Sequence, residues 1–165
     1  MSDAIFTALG MRQEATGRTL VVVFSDGTDT SSWLTARTLL QAAEETDTVV
    51  YGVTPRPMFG IPGVRGSPAF IRAELERWFD EQPALFPRLL LRQVARTTGG
   101  ELLAVSESRD LPATFASILG DFKSRYLLSY TPAGVPATGW HPLAVKVKNR
   151  SVTVRARSSY AAAAQ

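Results

Sequence analysis

Residues 19–25, Thr-Leu-Val-Val-Val-Phe-Ser, constrain this chain more than any other stretch. The run is apolar and β-branched without alternation, which fits a strand covered on both faces, as strands of parallel sheets are. A second such run, "DTVVYGVTP" at 47–55, ends at Pro55. Between them, "WLTARTLLQAAEET" at 33–46 is rich in the helix formers Ala, Leu, Gln and Glu, and Ser31 or Ser32 can cap it. Strand, helix and strand in succession make a βαβ unit, whose crossover is almost always right-handed.

The rest of the chain extends that pattern. "SDAIFTALGMR" reads as a short helix capped by Ser2 or Asp3, with Ile5, Ala8 and Leu9 on one face. Residues 54–66 form a Pro/Gly-rich loop of a length that is usually functional or mobile. Ser67-Pro68 opens a helix with the stripe Ile71, Leu75, Trp78 and Phe79, read as core. "RLLLRQVARTT" at 88–98 is another helix, stopped by Gly99-Gly100, and "ELLAV" at 101–105 a third strand. Asp110 can cap a helix with Phe115, Ile118, Leu119 and Phe122 at helical spacing, after which 126–132 turns extended. Residues 141–159 alternate: Leu143, Val145 and Val147 face one way and Lys146 and Lys148 the other, and Asn149-Arg150 is the turn between two antiparallel strands. The expected class is therefore α/β: a partial Rossmann-like parallel sheet flanked by helices, with a C-terminal antiparallel β appendage. The expected organisation is an α/β domain over 1–110, a helix plus β-hairpin extension over 111–160, and a disordered tail over 161–165.

Composition narrows the chemistry. At 165 residues and 45% hydrophobic, the chain can bury a core. It has no cysteine, which excludes disulfides, thiolate metal sites and a cysteine nucleophile. No signal peptide and no run of about 20 apolar residues is visible, so the chain as written would stay in the cytoplasm. Charge is uneven: residues 1–121 hold 11 Lys/Arg against all 15 Asp/Glu, a net of −4, whereas residues 122–165 hold 7 Lys/Arg and no acid. A basic tail raises the question of nucleic acid. Period two sends each cation to solvent, and no aromatic residues are interleaved as single-strand binders require, so a wet sheet face is the favoured reading.

The run at 19–25 empties into Ser25-Asp26-Gly27-Thr28-Asp29-Thr30-Ser31-Ser32. In open parallel sheets, ligands bind at the carboxyl ends of strands, and an acid there suits a hard cation such as Mg²⁺. Three readings stand. Asp26-Gly27 can be a turn, with Ser31/Ser32 a helix cap. Asp26-Gly27-Thr28 also matches half of the haloacid dehalogenase signature, but Phe24 occupies the place of its nucleophilic Asp and cannot form a phosphoaspartate.

The third reading is a family resemblance. "LVVVFSDGTDTSS" resembles the fourth-strand motif of von Willebrand factor type A (VWA) domains, in particular a bacterial subgroup. "VVYGV" is similar to that subgroup's fifth strand, and "LRQVARTTGGELLAV" to its Ala-x-x-Thr-Gly-Gly helix-to-strand turn. "ILGDFKSRYLLSYTP" and "LAVKVKNRSVTVRARSSY" resemble its C-terminal helix and β extension, with Ser159 where a Gly is usual, and "DAI" at 3–5 fits the helix before the fourth strand.

The resemblance implies a non-enzymatic protein–protein interaction, adhesion-type module with a metal-ion-dependent adhesion site. Asp26 matches the ligand that follows the fourth strand. Ser25 and Asp29 would stand behind it, orienting it or its waters. The Asp-x-Ser-x-Ser loop is absent, and the family's Thr would lie about three residues before Asp3, ahead of Met1. A divalent cation held by one carboxylate keeps most of its waters, so any binding should be weak. Without the family's first strand, residues 19–25 would form an apolar edge open to homo-oligomerisation. Relatives of the subgroup are commonly exported. The rivals are phosphohydrolase-like metal or phosphate chemistry at this loop, and weak nucleic-acid binding through the basic C-terminal strands.

Single residues complete the expectations. His141, the only histidine, reads as a surface residue rather than a catalytic base. Trp33 reads as cover for the top of the sheet, and Trp140 as packing on the appendage. "MFGIPGV" at 58–64 either touches a partner or folds down over the sheet.

Overall fold

The computed structural model describes residues 1–11, 18–26, 29, 31–55, 87–126, 128, 131–136, 138–148, 151, 154–157 and 159–162. Three parallel strands form its centre: β1 (Leu20–Phe24), β2 (Val49–Pro55) and β3 (Leu102–Val105), in the order β1-β2-β3. Register runs Leu20↔Val49 to Phe24↔Val53 on one side of β2 and Gly52↔Leu102 to Pro55↔Val105 on the other. The helices are α1 (Ser2–Gly10), α2 (Ala36–Glu45), α3 (Pro87–Thr97) and α4 (Leu111–Lys123), the last entered through a 3-10 turn at Ser108–Asp110. A separate antiparallel pair joins β4 (Gly139–Pro142) to β5 (Ser159–Ala162). The architecture is α/β, a three-stranded parallel sheet flanked by helices plus a two-stranded antiparallel sheet.

Period two divides the strands' side chains between two cores. Val21, Val23, Val50 and Leu102 face α1, α2 and α3, packing with Ile5, Leu9, Leu39, Ala43, Leu91 and Val94. Leu20, Val22, Val49, Tyr51, Val53, Leu103 and Val105 face α4, packing with Ile118 and Phe122. Burial on both faces is why the sequence shows unbroken apolar runs. Central β2 is buried from Val49 to Thr54, whereas edge strand β1 is half-buried and Phe24 at its end is 55% exposed. Because α4 closes one face of the sheet, the helix at 111–123 shares the core of the preceding α/β segment.

The turn from α3 into β3 is built on three residues. Thr98 Oγ1 donates to the Val94 and Ala95 carbonyls at the end of α3 and accepts the Val50 N–H at 3.0 Å, tying the helix to β2. Gly99 reverses the chain at φ +82°, which an L side chain resists. Gly100 passes so close to β2 that a Cβ would lie 1.8 Å from the Val50 carbonyl oxygen.

Several local expectations shift. α2 begins at Ala36 rather than 33, capped by Thr35, whose side chain accepts the Thr38 N–H. α1 has Met1 at its N-cap and no cap from its own side chains. Asp110 precedes α4, but its carboxylate accepts the Glu107 N–H within a capping box on the 3-10 turn instead. The appendage pairs at its outer ends, 139–142 with 159–162, rather than along 143–157; residues 143–147 and 154–157 carry no strand assignment, and β5 reaches Ala162. The long loop at 56–66, the helix with Trp78 and Phe79, and the Asn149-Arg150 turn lie outside the described residues.

Candidate functional site

The carboxyl end of β1 is fastened to β2 by Ser25, whose N–H donates to the Val53 carbonyl at 3.1 Å. The chain then leaves the sheet, and Asp26 is exposed beyond the end of the strand. Gly27, Thr28 and Thr30 lie outside the described residues.

Asp29 turns toward the start of α1. Its Oδ1 accepts from the Met1 nitrogen at 2.9 Å, and its Oδ2 accepts from the Ser2 N–H at 2.8 Å and the Ser2 hydroxyl at 2.6 Å. Ser32 Oγ adds acceptance from the Met1 nitrogen at 3.0 Å and the Asp3 N–H at 3.3 Å. The loop thereby supplies the N-terminal cap that α1's own side chains do not. Burial, with the side chain 10% exposed, opposes charge on Asp29, but the donors from Ser2, Met1 and Ser32 outweigh it and hold the carboxyl well below the usual carboxylate range.

The reciprocal contact comes from Asp3, whose carboxylate accepts the Trp33 N–H at 3.0 Å and the Leu34 N–H at 3.0 Å. Two aspartates on opposite partners thus lock the loop against α1. Held in that frame, Trp33 is 95% exposed. It does not cover the top of the sheet, because the backbone that carries it is pinned outward by Asp3.

A hard cation prefers six or more oxygen ligands. Both Asp29 oxygens are engaged by α1's first residues, and no three His, Cys, Asp or Glu side chains converge among the described residues. The described donor set does not complete such a site. Of the three residues singled out at the crest, Asp29 is the one whose carboxylate is taken up by this cap.

At the opposite end of the sheet lies a polar cluster that periodicity alone did not reveal. Tyr51 is 1% exposed, and its hydroxyl donates to Asp121 Oδ2 and accepts from Arg125 Nη2 at 2.7 Å. Arg125 also donates to the Gly99 carbonyl at 2.6 Å and lies 5.4 Å from the centre of the Tyr51 ring. Burial, reinforced by the bond to Asp121, raises the Tyr51 pKa against the opposing pull of Arg125. Beside it is a cavity of ≈ 240 Å³ lined by Tyr51, Glu101, Leu103, Asp121 and Arg155, with Ser117 and Ile118 from α4.

Arg157 departs from the reading of the basic strip as a wet face, whereas Arg155 is exposed as expected but paired. Arg155 pairs with Glu101 and with Asp121 Oδ2 at 3.3 Å, and Arg157 Nη1 pairs with Asp47 at 3.1 Å while Nη2 donates to the Glu44 carbonyl. The acid-free C-terminal stretch therefore settles on acids of the preceding segment, which is what opposite net charges favour. Lys146 and Lys148 are exposed, as alternation predicts. His141 is buried at 9% exposure, its ring centroid 5.2 Å from that of Tyr160, so it is part of the β4–β5 packing and not a surface residue. Trp140 is 43% exposed on β4. Among the described residues, no helix is long and apolar enough to cross a membrane. Comparison with known proteins finds no matching family model, no matching curated protein and no matching solved structure.

Proposed function

We propose that this chain is a non-enzymatic protein–protein interaction module of the VWA kind, working from the crest at the carboxyl end of its parallel sheet. The observation that carries the reading is Trp33: a 95%-exposed indole on a backbone locked by Asp3. A tryptophan on a fixed backbone has only two side-chain torsions to order on docking, and tryptophan is over-represented among residues that dominate binding energy. Asp26 stands at the same end of the sheet, beyond β1. The strand order β1-β2-β3 agrees with the fourth, fifth and sixth strands of the family order, and the Thr98-Gly99-Gly100 turn has a physical role at the corresponding place. Any divalent cation on Asp26 keeps most of its waters and binds weakly. Self-association through edge strand β1 belongs to the same reading, because β1 pairs with β2 on one side only among the described residues.

The test places a photo-crosslinking amino acid at position 33 and irradiates the protein in extract of its native cell. A discrete protein adduct whose yield falls severalfold with Asp26→Ala is expected. Phosphomonoester turnover that disappears with Asp26→Asn would replace the interaction reading with a hydrolase.

A further inference from the structure

Residues 154–157 cross the amino ends of β2 and β3 on their way into β5, which packs against α2. Their backbone passes Gly99 closely: a Cβ there would lie 3.5 Å from the Ala156 carbonyl carbon and 3.5 Å from the Arg157 nitrogen. No strand pairing holds these four residues. They are held by the ion pairs of Arg155 with Glu101 and Asp121 and of Arg157 with Asp47, and by the Arg157 Nη2 bond to the Glu44 carbonyl.

We infer that residues 154–157 form a releasable strap, latched by Arg155 and Arg157 on the acids at the amino end of the sheet, whose release removes the Arg155 wall of the cavity beside Tyr51. Two observations set how it works. The acids are the wetter partners: Asp47 is 82% exposed and Glu101 47%, against 42% for Arg155 and 21% for Arg157. Exposed pairs contribute little individually and are screened by salt. Arg155 is one wall of the cavity, whose other lining is the polar Tyr51, Glu101, Ser117 and Asp121 together with Leu103 and Ile118 from the core facing α4. Release therefore exposes mainly groups that water can satisfy. Local opening of this kind costs far less than global unfolding. Buried Arg125 remains under the strap, still bonded to Tyr51 and Gly99.

Trypsin reports the release directly, because an arginine must leave its carboxylate to enter the protease. Cleavage after Arg155 and Arg157 is followed by mass spectrometry at 50 mM and 1 M NaCl, normalised to a free peptide of residues 150–160. Far-ultraviolet circular dichroism follows the core in parallel. The expected result is a rise in normalised cleavage on the order of 3- to 30-fold at high salt, with ellipticity unchanged. Glu101→Gln or Asp47→Asn, each singly at an exposed acid, should raise cleavage at both arginines at 50 mM NaCl and reduce the salt response. Normalised cleavage that ignores salt and both variants, or that rises only as ellipticity is lost, overturns the strap. The salt series on the unaltered protein decides this whether or not either variant folds.

Discussion

Asp29 does structural work at a position where oxygen chemistry was expected. Three of its hydrogen bonds come from Met1 and Ser2, so the charge it carries holds α1 to the loop. Asp29→Asn should cost about 1–3 kcal/mol in urea denaturation at neutral pH. The sign of the pH effect follows from the depressed carboxyl. The contribution is complete above the ordinary value of 3.8 and drains away as acid protonates the unfolded and then the folded carboxyl. Stability of the unaltered protein should therefore fall with pH below about 4, and the Asn variant should show a flatter acid limb. Tyr51 has the opposite sign. Its raised pKa keeps the phenol protonated in the fold while the unfolded chain ionises, so stability is lost as pH rises past 10.0. Tyr51→Phe should cost about 1–3 kcal/mol at neutral pH and weaken that alkaline slope, both read from denaturation midpoints. Asp29 is visible in the sequence as an acid in a loop. Its partner is not, because 27 positions separate it from Ser2 and nothing local encodes that contact.

At the scale of the element, the turn between α3 and β3 holds the closest glycine approach among the described residues. Gly100 lies against the Val50 carbonyl, backbone on backbone, where no side chain can rotate away. Gly100→Ala should destabilise by about 3 kcal/mol or more, and a thermal melt within a few degrees of the unaltered protein's would contradict the close approach. This turn was legible beforehand: Gly99-Gly100 after a helical run marks a stop. The helix starts were less legible. Ser31 and Ser32 looked like caps for α2, but Ser32 is used by α1 and Thr35 caps α2, because a hydroxyl serves whichever N–H the tertiary structure brings near. The appendage shows the same limit. Alternation at 143–157 is real in the sequence, yet pairing is confined to 139–142 and 159–162, where the strands find each other.

For the whole molecule, the deciding features are charge and edges. A net of −4 over residues 1–121 meets a C-terminal stretch without acids, and Arg155 and Arg157 fold back onto Glu101, Asp121 and Asp47. Those two cations are thus partnered inside the chain, which weakens the nucleic-acid reading. The sheet's outer strand carries the other consequence. β1 is apolar and at an edge among the described strands, a template for a further strand. Light scattering across a concentration series should show reversible self-association. Phe24→Lys, at the exposed end of the strand, should shift it toward monomer, and mass independent of concentration would count against pairing at this edge.

The sequence by itself determined the three parallel strands, the helices between them and the expectation that both faces of the sheet are buried. Those follow from periodicity and β-branching, which act over a few residues at a time. Only the tertiary structure decided which acids face solvent and which are spent on capping, that Trp33 stands clear of the sheet, that His141 is buried, and that the basic strand end is latched rather than free. Such assignments depend on pairs of groups distant in sequence, and hydrogen-bond and Coulomb energies are fixed by distance in space.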